Sequence, residues 1–246
     1  MKLTKMRRKF LLYFVMALCV CLLCVCLFCA CSPVGKPRTV KAVIVPHDVI
    51  AFALAEDVIR FLADDKPQKI FLCGPNHTAN GPKIASTRDG AKLHSLIGAN
   101  DELIKTEHSV GNLLPIIERH LPDTKVVPVI IQKGASFDAA KKVMDVMFSE
   151  PETIIVASID FSHGLPAREE QVNRAKTEEY IKNFASSSIM GLDETYLDAP
   201  VVLAAMLEVL KGCRIETIAS TNAAEVLGME VQEATGYLTI VFYEQP

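Results

Sequence analysis

Three of the six histidines in this chain follow apolar runs at short, similar distances. His47 comes two residues after such a run in VIVPHD, His77 four residues after one in FLCGPNH, and His163 five residues after one in VASIDFSH. Two neutral imidazoles with one carboxylate suit Fe(II), Zn(II) or Mn(II). A further unligated histidine titrates near neutrality and can serve as general acid or base. Instead, His47 could donate to a backbone carbonyl in a turn, His77 could be a surface loop residue and His163 could only satisfy a carbonyl, but their convergence favours a site. Asp160 precedes His163 by three residues and could orient a histidine through its second ring nitrogen, or cap the next segment. Glu107-His108 is a further candidate pair. It stands at the head of a helical pattern, where a glutamate also complements the helix dipole and His108 would be exposed. His120 ends a helix, and Cys73 lies within an apolar strand, so both read as structural. No phosphate loop and no GxSxG elbow is present, and nothing around Ser158 and Ser162 suggests a nucleophile elbow.

The elements that must hold these residues alternate. Strand-like runs cover residues 40–45, 69–73, 125–131, 153–158, 214–220 and 234–242, with a short strand near Ile84 inside a long loop at 74–100. Helical spacing covers 51–64, 109–121 (with a kink at Pro115), 137–148, 167–185 and 201–211. Pro128 marks its strand as an edge or a bulge. Strands alternating with helices predict a single α/β domain, with a largely parallel or mixed sheet covered by helices on both faces. Sites in such sheets lie beyond the carboxyl ends of the strands, which is where His47, His77 and His163 fall.

The chain has 246 residues, half of them hydrophobic and 22% charged, enough for a folded domain. Five of the 26 basic residues and none of the 29 acidic ones lie in residues 1–31. The rest carries 21 basic against 29 acidic residues, a net −8. A body that acidic, without tryptophan, is a poor nucleic-acid binder, so no nucleic-acid partner is expected.

The basic head MKLTKMRRK precedes an uncharged stretch, residues 10–30, long enough to span a bilayer. Its charge predicts a cytoplasmic head and a body on the outer face of the membrane. Six of the eight cysteines lie within residues 1–31. They are small apolar residues of a retained anchor, or Cys31 is the lipidated residue of a bacterial lipoprotein signal; a metal-binding cluster fits neither the spacing nor the lipid setting. The expected organisation is therefore an anchor or signal at 1–31, a Pro/Gly tether at 32–39 and an α/β domain at 40–246. Only Cys73 and Cys213 remain in the body, enough for one disulfide at most.

Several short blocks occur together in this order: Val45-Pro46-His47, Gly74-Pro75-Asn76-His77, Glu107-His108-Ser109, Val127-Pro128-Val129, the SIDFSH run from Ser158 to His163, and Gly236-Tyr237. Jointly they resemble the Memo-like proteins, including the AmmeMemoRadiSam system protein B, over about residues 41–242. The resemblance implies a fold like that of the class III extradiol dioxygenases, which hold non-haem Fe(II) through two histidines and a glutamate. It implies His47 and His77 as metal ligands, His163 as acid/base with Asp160 beside it, and Glu107 and His108 lining the pocket. Memo-like proteins take a third ligand from a late residue before the last strand, a cysteine in some members. The corresponding stretch here, residues 219–225, has no cysteine, and Glu225 is its candidate carboxylate. The family's Ala-Gly-Tyr after Pro-His is replaced by Asp48-Val49-Ile50, and the export segment departs from cytosolic members. The expectation is a metal-dependent oxidoreductase, iron first with zinc or manganese as alternatives, acting on a small molecule. The rivals are a non-catalytic metal- or partner-binding protein tethered to a membrane, and a pocket whose histidines only hydrogen-bond.

Overall fold

The computed structural model describes residues 39–88, 93 and 95–245. The expected anchor, with Cys31, and the tether up to residue 38 lie outside the described residues. Among the described residues no helix is long and apolar enough to cross a membrane.

The strands are β1 (Val40–Val45), β2 (Lys69–Pro75), β3 (Ile84–Ser86), β4 (Gly98–Ala99), β5 (Lys125–Ile131), β6 (Thr153–Ser158), β7 (Phe161–Leu165), β8 (Arg214–Asn222) and β9 (Ala234–Tyr243). The helices are α1 (Phe52–Phe61), α2 (Asp101–Thr106), α3 (His108–Gly111), α4 (Leu114–His120), α5 (Phe137–Ser149), α6 (Ala167–Lys182), α7 (Ser186–Met190), α8 (Pro200–Val209) and α9 (Ala223–Leu227). The nine strands form one sheet in the order β4-β3-β5-β2-β6-β1-β9-β7, with β8 also on β9. Its centre, β5-β2-β6-β1, is parallel. Antiparallel β3 flanks it on one side, and β9 with β7 and β8 on the other. The sheet is thus mixed.

The apolar runs alternate across the sheet. Ala42, Ile44, Phe71, Cys73, Val127 and Val129 pack on one face with α5 and α8. Val43, Val45, Ile70, Leu72 and Ile130 pack on the other with α1 and α4. Burial of both faces is why these strands read as continuous Val/Ile runs. Helix α8 is buried from Pro200 to Leu207, which explains its apolar composition on every side. Cys73 is a core residue, and Cys73 and Cys213 are both free thiols.

Some boundaries depart from expectation. The helix expected at 109–121 is two, α3 and α4, with a proline in the first turn of α4. Proline has no N–H to give to a preceding turn, so it starts a helix rather than continuing one. Strand β7 reads as loop in the sequence because Ser162 (φ 45°) and Gly164 (φ 67°) interrupt its alternation. Gly236 is where β9 meets β7: a Cβ there would lie 2.9 Å from the Phe161 carbonyl oxygen and strike the Glu170 carboxylate.

Candidate metal centre

The carboxyl ends of β1, β2 and β6 meet at one cleft. His47, His77, His108, Asp160 and His163 line it, with Asp48, Val49, Asn112 and Thr235.

His47 follows β1 and is buried. Its backbone N–H donates to Asp160 Oδ1 at 3.1 Å, and its carbonyl accepts from Asn112 Nδ2 at 3.0 Å. Its Nδ1 lies 3.0 Å from Ser158 Oγ, and the Ser158 hydroxyl donates to the Ser109 carbonyl. A hydroxyl has one proton to give. That proton goes to Ser109, so Ser158 accepts from His47 Nδ1–H, and Nε2 is left with its lone pair facing the cleft. Burial, opposed by Asp198 and reinforced by the neighbouring histidines, holds the His47 pKa down to about 4, so the ring is neutral at pH 7.

His77 follows β2. Glu107, wholly buried, takes the His77 backbone N–H at 2.9 Å on Oε2 and lies 2.8 Å from Nδ1 through Oε1. The same carboxylate caps α3 through Ser109 N–H at 3.1 Å. Burial alone would raise the Glu107 pKa, but these bonds from His77 and Ser109 overcome it and set it at about 2. Gly74 allows the approach, since a Cβ there would lie 2.6 Å from Ser109 Oγ. Burial would lower the His77 pKa, yet the nearby Asp198 charge and the hydrogen bond and charge of Glu107 raise it to about 9. His108, at the start of α3, is half exposed and stacks on His77 with ring centroids 4.2 Å apart and planes 24° apart.

The segment before α8 supplies a residue that the sequence did not single out. Its backbone runs beside the β6–β7 turn: Ser162 N–H donates to the Tyr196 carbonyl, His163 N–H to Glu194, and Asp198 N–H to Asp160. This brings Asp198 Oδ2 to 3.3 Å from His47 Nε2 and 3.6 Å from His77 Nε2. Neither buried carboxylate oxygen of Asp198 has a hydrogen-bond partner. Asp160 Oδ2 lies 3.5 Å from His47 Nε2. Burial and then the Asp198 charge push the Asp160 pKa well above the usual carboxylate range. In the sequence Asp198 looks like an ordinary acid ahead of a Pro-started helix; only the pairing with residues 160–163 reveals it.

His163 sits in β7, between two residues of positive φ, and its Nε2 is buried without a partner. Ser162, a non-glycine residue in the left-handed region, is held there against an intrinsic cost of order 1–3 kcal/mol. Asp48 Oδ2 accepts from the buried Tyr237 hydroxyl at 2.7 Å.

Glu225 does not join this cluster. Its side chain is exposed on α9 and its carboxylate accepts from Thr221 Oγ1 at 2.6 Å. Among the described residues, the donor groups close enough to share an ion are His47 with His77 and His108, and His47 with Asp160 and Asp198. His47 Nε2 is bare and the buried Asp198 oxygens have no hydrogen-bond partner, while His77 faces them carrying a proton that a metal ion would displace. The donor set therefore fits a divalent metal ion.

Comparison with known proteins agrees with this architecture. The sequence pattern described as Memo-like protein matches residues 91–224, more than half of the chain. A MEMO1 family protein of Methanopyrus kandleri is 24% identical over 243 residues, covering 84% of each chain. One of Archaeoglobus fulgidus is 24% identical over 242 residues, covering 84% of this chain and 88% of its own. The crystal structure of an uncharacterized protein from Escherichia coli K12 superposes with a TM-score of 0.54 at 13% identity, covering 82% of this chain and 99% of that one, a likeness of fold.

Proposed function

Since the chain belongs to the Memo-like protein family, we propose that His47 and His77 hold one metal ion and that the protein is a non-haem oxidoreductase acting on a small molecule. The observation that carries this reading is the fixed, neutral His47 ring, whose bare Nε2 faces His77 and unpaired carboxylate oxygens. Fe(II) comes first, with Zn(II) or Mn(II) as alternatives, because imidazole and carboxylate suit all three.

Bound there, iron would supply Lewis acidity and one-electron chemistry toward O₂. The chain's own residues do the rest. Ser158 and Glu107 fix the tautomers of His47 and His77 through Nδ1, and Asp160 anchors the His47 backbone. His163 Nε2 has no competing partner and takes up or returns a proton on the substrate. His108 borders the open side, where a substrate would enter.

A second reading is a non-catalytic metal- or partner-binding protein. It is favoured by the exposed apolar side chains Val49 and Ile50 in the short turn at residues 49–51, which packs on α9 beside the cleft, with Val226 and Leu227 of α9 and Met229 just beyond it. In both readings residues 1–31 tether the domain to the outer face of a membrane, through a lipidated Cys31 or a retained helix.

The test is metal analysis of the full chain, purified anaerobically in mild detergent, beside a His47→Ala/His77→Ala variant. About one ion per chain, lost in the variant, is expected for a mononuclear site. Iron-dependent O₂ consumption with candidate small molecules then separates the enzyme from the binding protein. No ion in either protein would refute the metal centre.

A further inference from the structure

We infer that the apolar patch formed by the turn at residues 49–51 and α9 is a seat for the lipid bilayer, which brings the mouth of the cleft to the membrane surface. The inference rests on the membrane tether proposed above, and not on the chemistry performed in the cleft.

Three observations converge. First, the exposed apolar side chains gather in one place. Val49 is 65% and Met229 61% exposed, and Ile50, Val226 and Leu227 are each more than a third exposed. The turn and the helix share a buried root of Ala51, Ala223 and Tyr237, so they present one connected surface. Among the described residues the other large apolar side chains in solvent stand apart from each other, as Phe61 on α1, Phe148 on α5, Val172 on α6 and Ile218 on β8. Single exposed side chains are ordinary, whereas a cluster marks an interaction surface. Second, the patch is continuous with the cleft, because Val49 belongs to both. With the patch seated, a molecule dissolved in the bilayer reaches the cleft without crossing bulk water. Third, the tether is long enough. Residues 32–39 span at most about 26–29 Å when extended. The chain enters β1 at its amino end and the cleft lies at its carboxyl end, a distance of about 20 Å at the usual rise per residue. A bilayer that holds residue 31 is therefore within reach of the patch. On so short a tether the contact is intramolecular, with an effective concentration of about millimolar, so even a weak seat is occupied.

The composition of the patch points to lipid and not to a protein. Five side chains are far fewer than the roughly 20–30 residues that each side of a stable protein interface contributes. A bilayer takes up apolar side chains one by one. Residues 46–51 and 223–233 contain no lysine or arginine, and carry Asp48, Glu225, Glu230 and Glu233. Such a surface gains nothing from anionic headgroups, so the seat is apolar, suited to zwitterionic lipid and insensitive to salt.

The chain has no tryptophan, so a single introduced indole reports its own surroundings. The full chain, reconstituted in phosphatidylcholine vesicles with brominated acyl chains as contact quenchers, carries Leu227→Trp or Met229→Trp. Both reporters should emit at shorter wavelength and be quenched. Phe148→Trp, beside the amino end of β1, should be neither shifted nor quenched. Adding Val226→Glu to Met229→Trp should move the reporter from seated toward free by roughly tenfold or more, the worth of one apolar side chain taken out of water. Phosphatidylglycerol in the vesicles should weaken the quenching, and added salt should leave it unchanged in phosphatidylcholine. Should one reporter variant misfold, the other reads the same contact. Vesicle-bound chain with both reporters unquenched, or with quenching at Phe148→Trp in their place, would overturn the seat and leave the tether intact. A wavelength shift that grows with protein concentration and escapes the brominated chains would also overturn it, in favour of a protein contact. A full chain that does not stay with the vesicles would overturn the tether itself.

Discussion

Replacing Glu107 by glutamine tests whether the buried carboxylate behind His77 is what prepares that ring. Glu107 accepts three hydrogen bonds: from His77 Nδ1 and Ser109 N–H on Oε1, and from His77 N–H on Oε2. Glutamine can keep its oxygen toward Nδ1 and Ser109, but then its NH₂ group faces the His77 N–H, donor against donor. One charge-assisted bond is lost, a cost of about 1.5–3 kcal/mol in the metal-free protein. For a domain of this size that lowers the melting temperature by roughly 3–12 °C. Metal affinity should drop about 10–100-fold, or about 1.4–2.7 kcal/mol, because the ring loses the partner that orients it and sustains its basicity. The pH dependence gives a second check. The folded metal-free protein holds the His77 proton up to about pH 9, against an ordinary value of 6.5. The stability this confers is present in full below pH 6.5 and disappears as pH rises through about 9. In Glu107→Gln that decline should be shallower. Calorimetry at several pH values and competitive metal titration measure both effects. Parent-like melting and parent-like affinity together would refute the reasoning.

Ser158→Ala removes the acceptor of His47 Nδ1–H, and should weaken metal binding about 10–100-fold by competitive titration while leaving stoichiometry unchanged. Gly236→Ala drives a methyl group against the Phe161 carbonyl and Glu170, and should cost about 1–3 kcal/mol in chemical denaturation. His163→Ala should keep the bound metal but lower turnover of any accepted substrate by about 10²–10⁴-fold, a split that metal analysis beside O₂ uptake will read. Cys31→Ser should abolish lipid attachment by mass spectrometry if residue 31 is the acylated position, and leave the mass and membrane association unchanged if the helix is retained.

The parts legible in the sequence were those where one local pattern sufficed. Val40–Val45, Lys125–Ile131 and Thr153–Ser158 are strands because both faces are buried and the residues are β-branched. The three histidines could be placed because each follows such a strand, and the carboxyl ends of parallel strands share one edge. What escaped depended on pairing between distant segments. Asp198 has no local mark of its role; it reaches the cleft because residues 194–198 bond to residues 160–163. Glu225 had a suitable residue type in the stretch that the resemblance pointed to, but β8 runs on to Asn222, which caps α9 and leaves Glu225 outside. Ser158 read as the end of a strand, and its use as a tautomer lock depends on the Ser109 carbonyl from another element.

The spread of these donors along the chain has a consequence for assembly. His47 and Asp160 are 113 residues apart, and Asp198 lies further on still. No short fragment contains the set, so no fragment should bind the ion with native strength. The loops between the donors must close first, and the sheet does this when β6 inserts between β1 and β2 and the segment before α8 docks on its end. An ion held only by this closed arrangement stabilises it by mass action, about 2.7 kcal/mol when free metal stands at 100 times its dissociation constant. It would act as a latch on the completed topology, fastening the first two strands to the latter part of the chain.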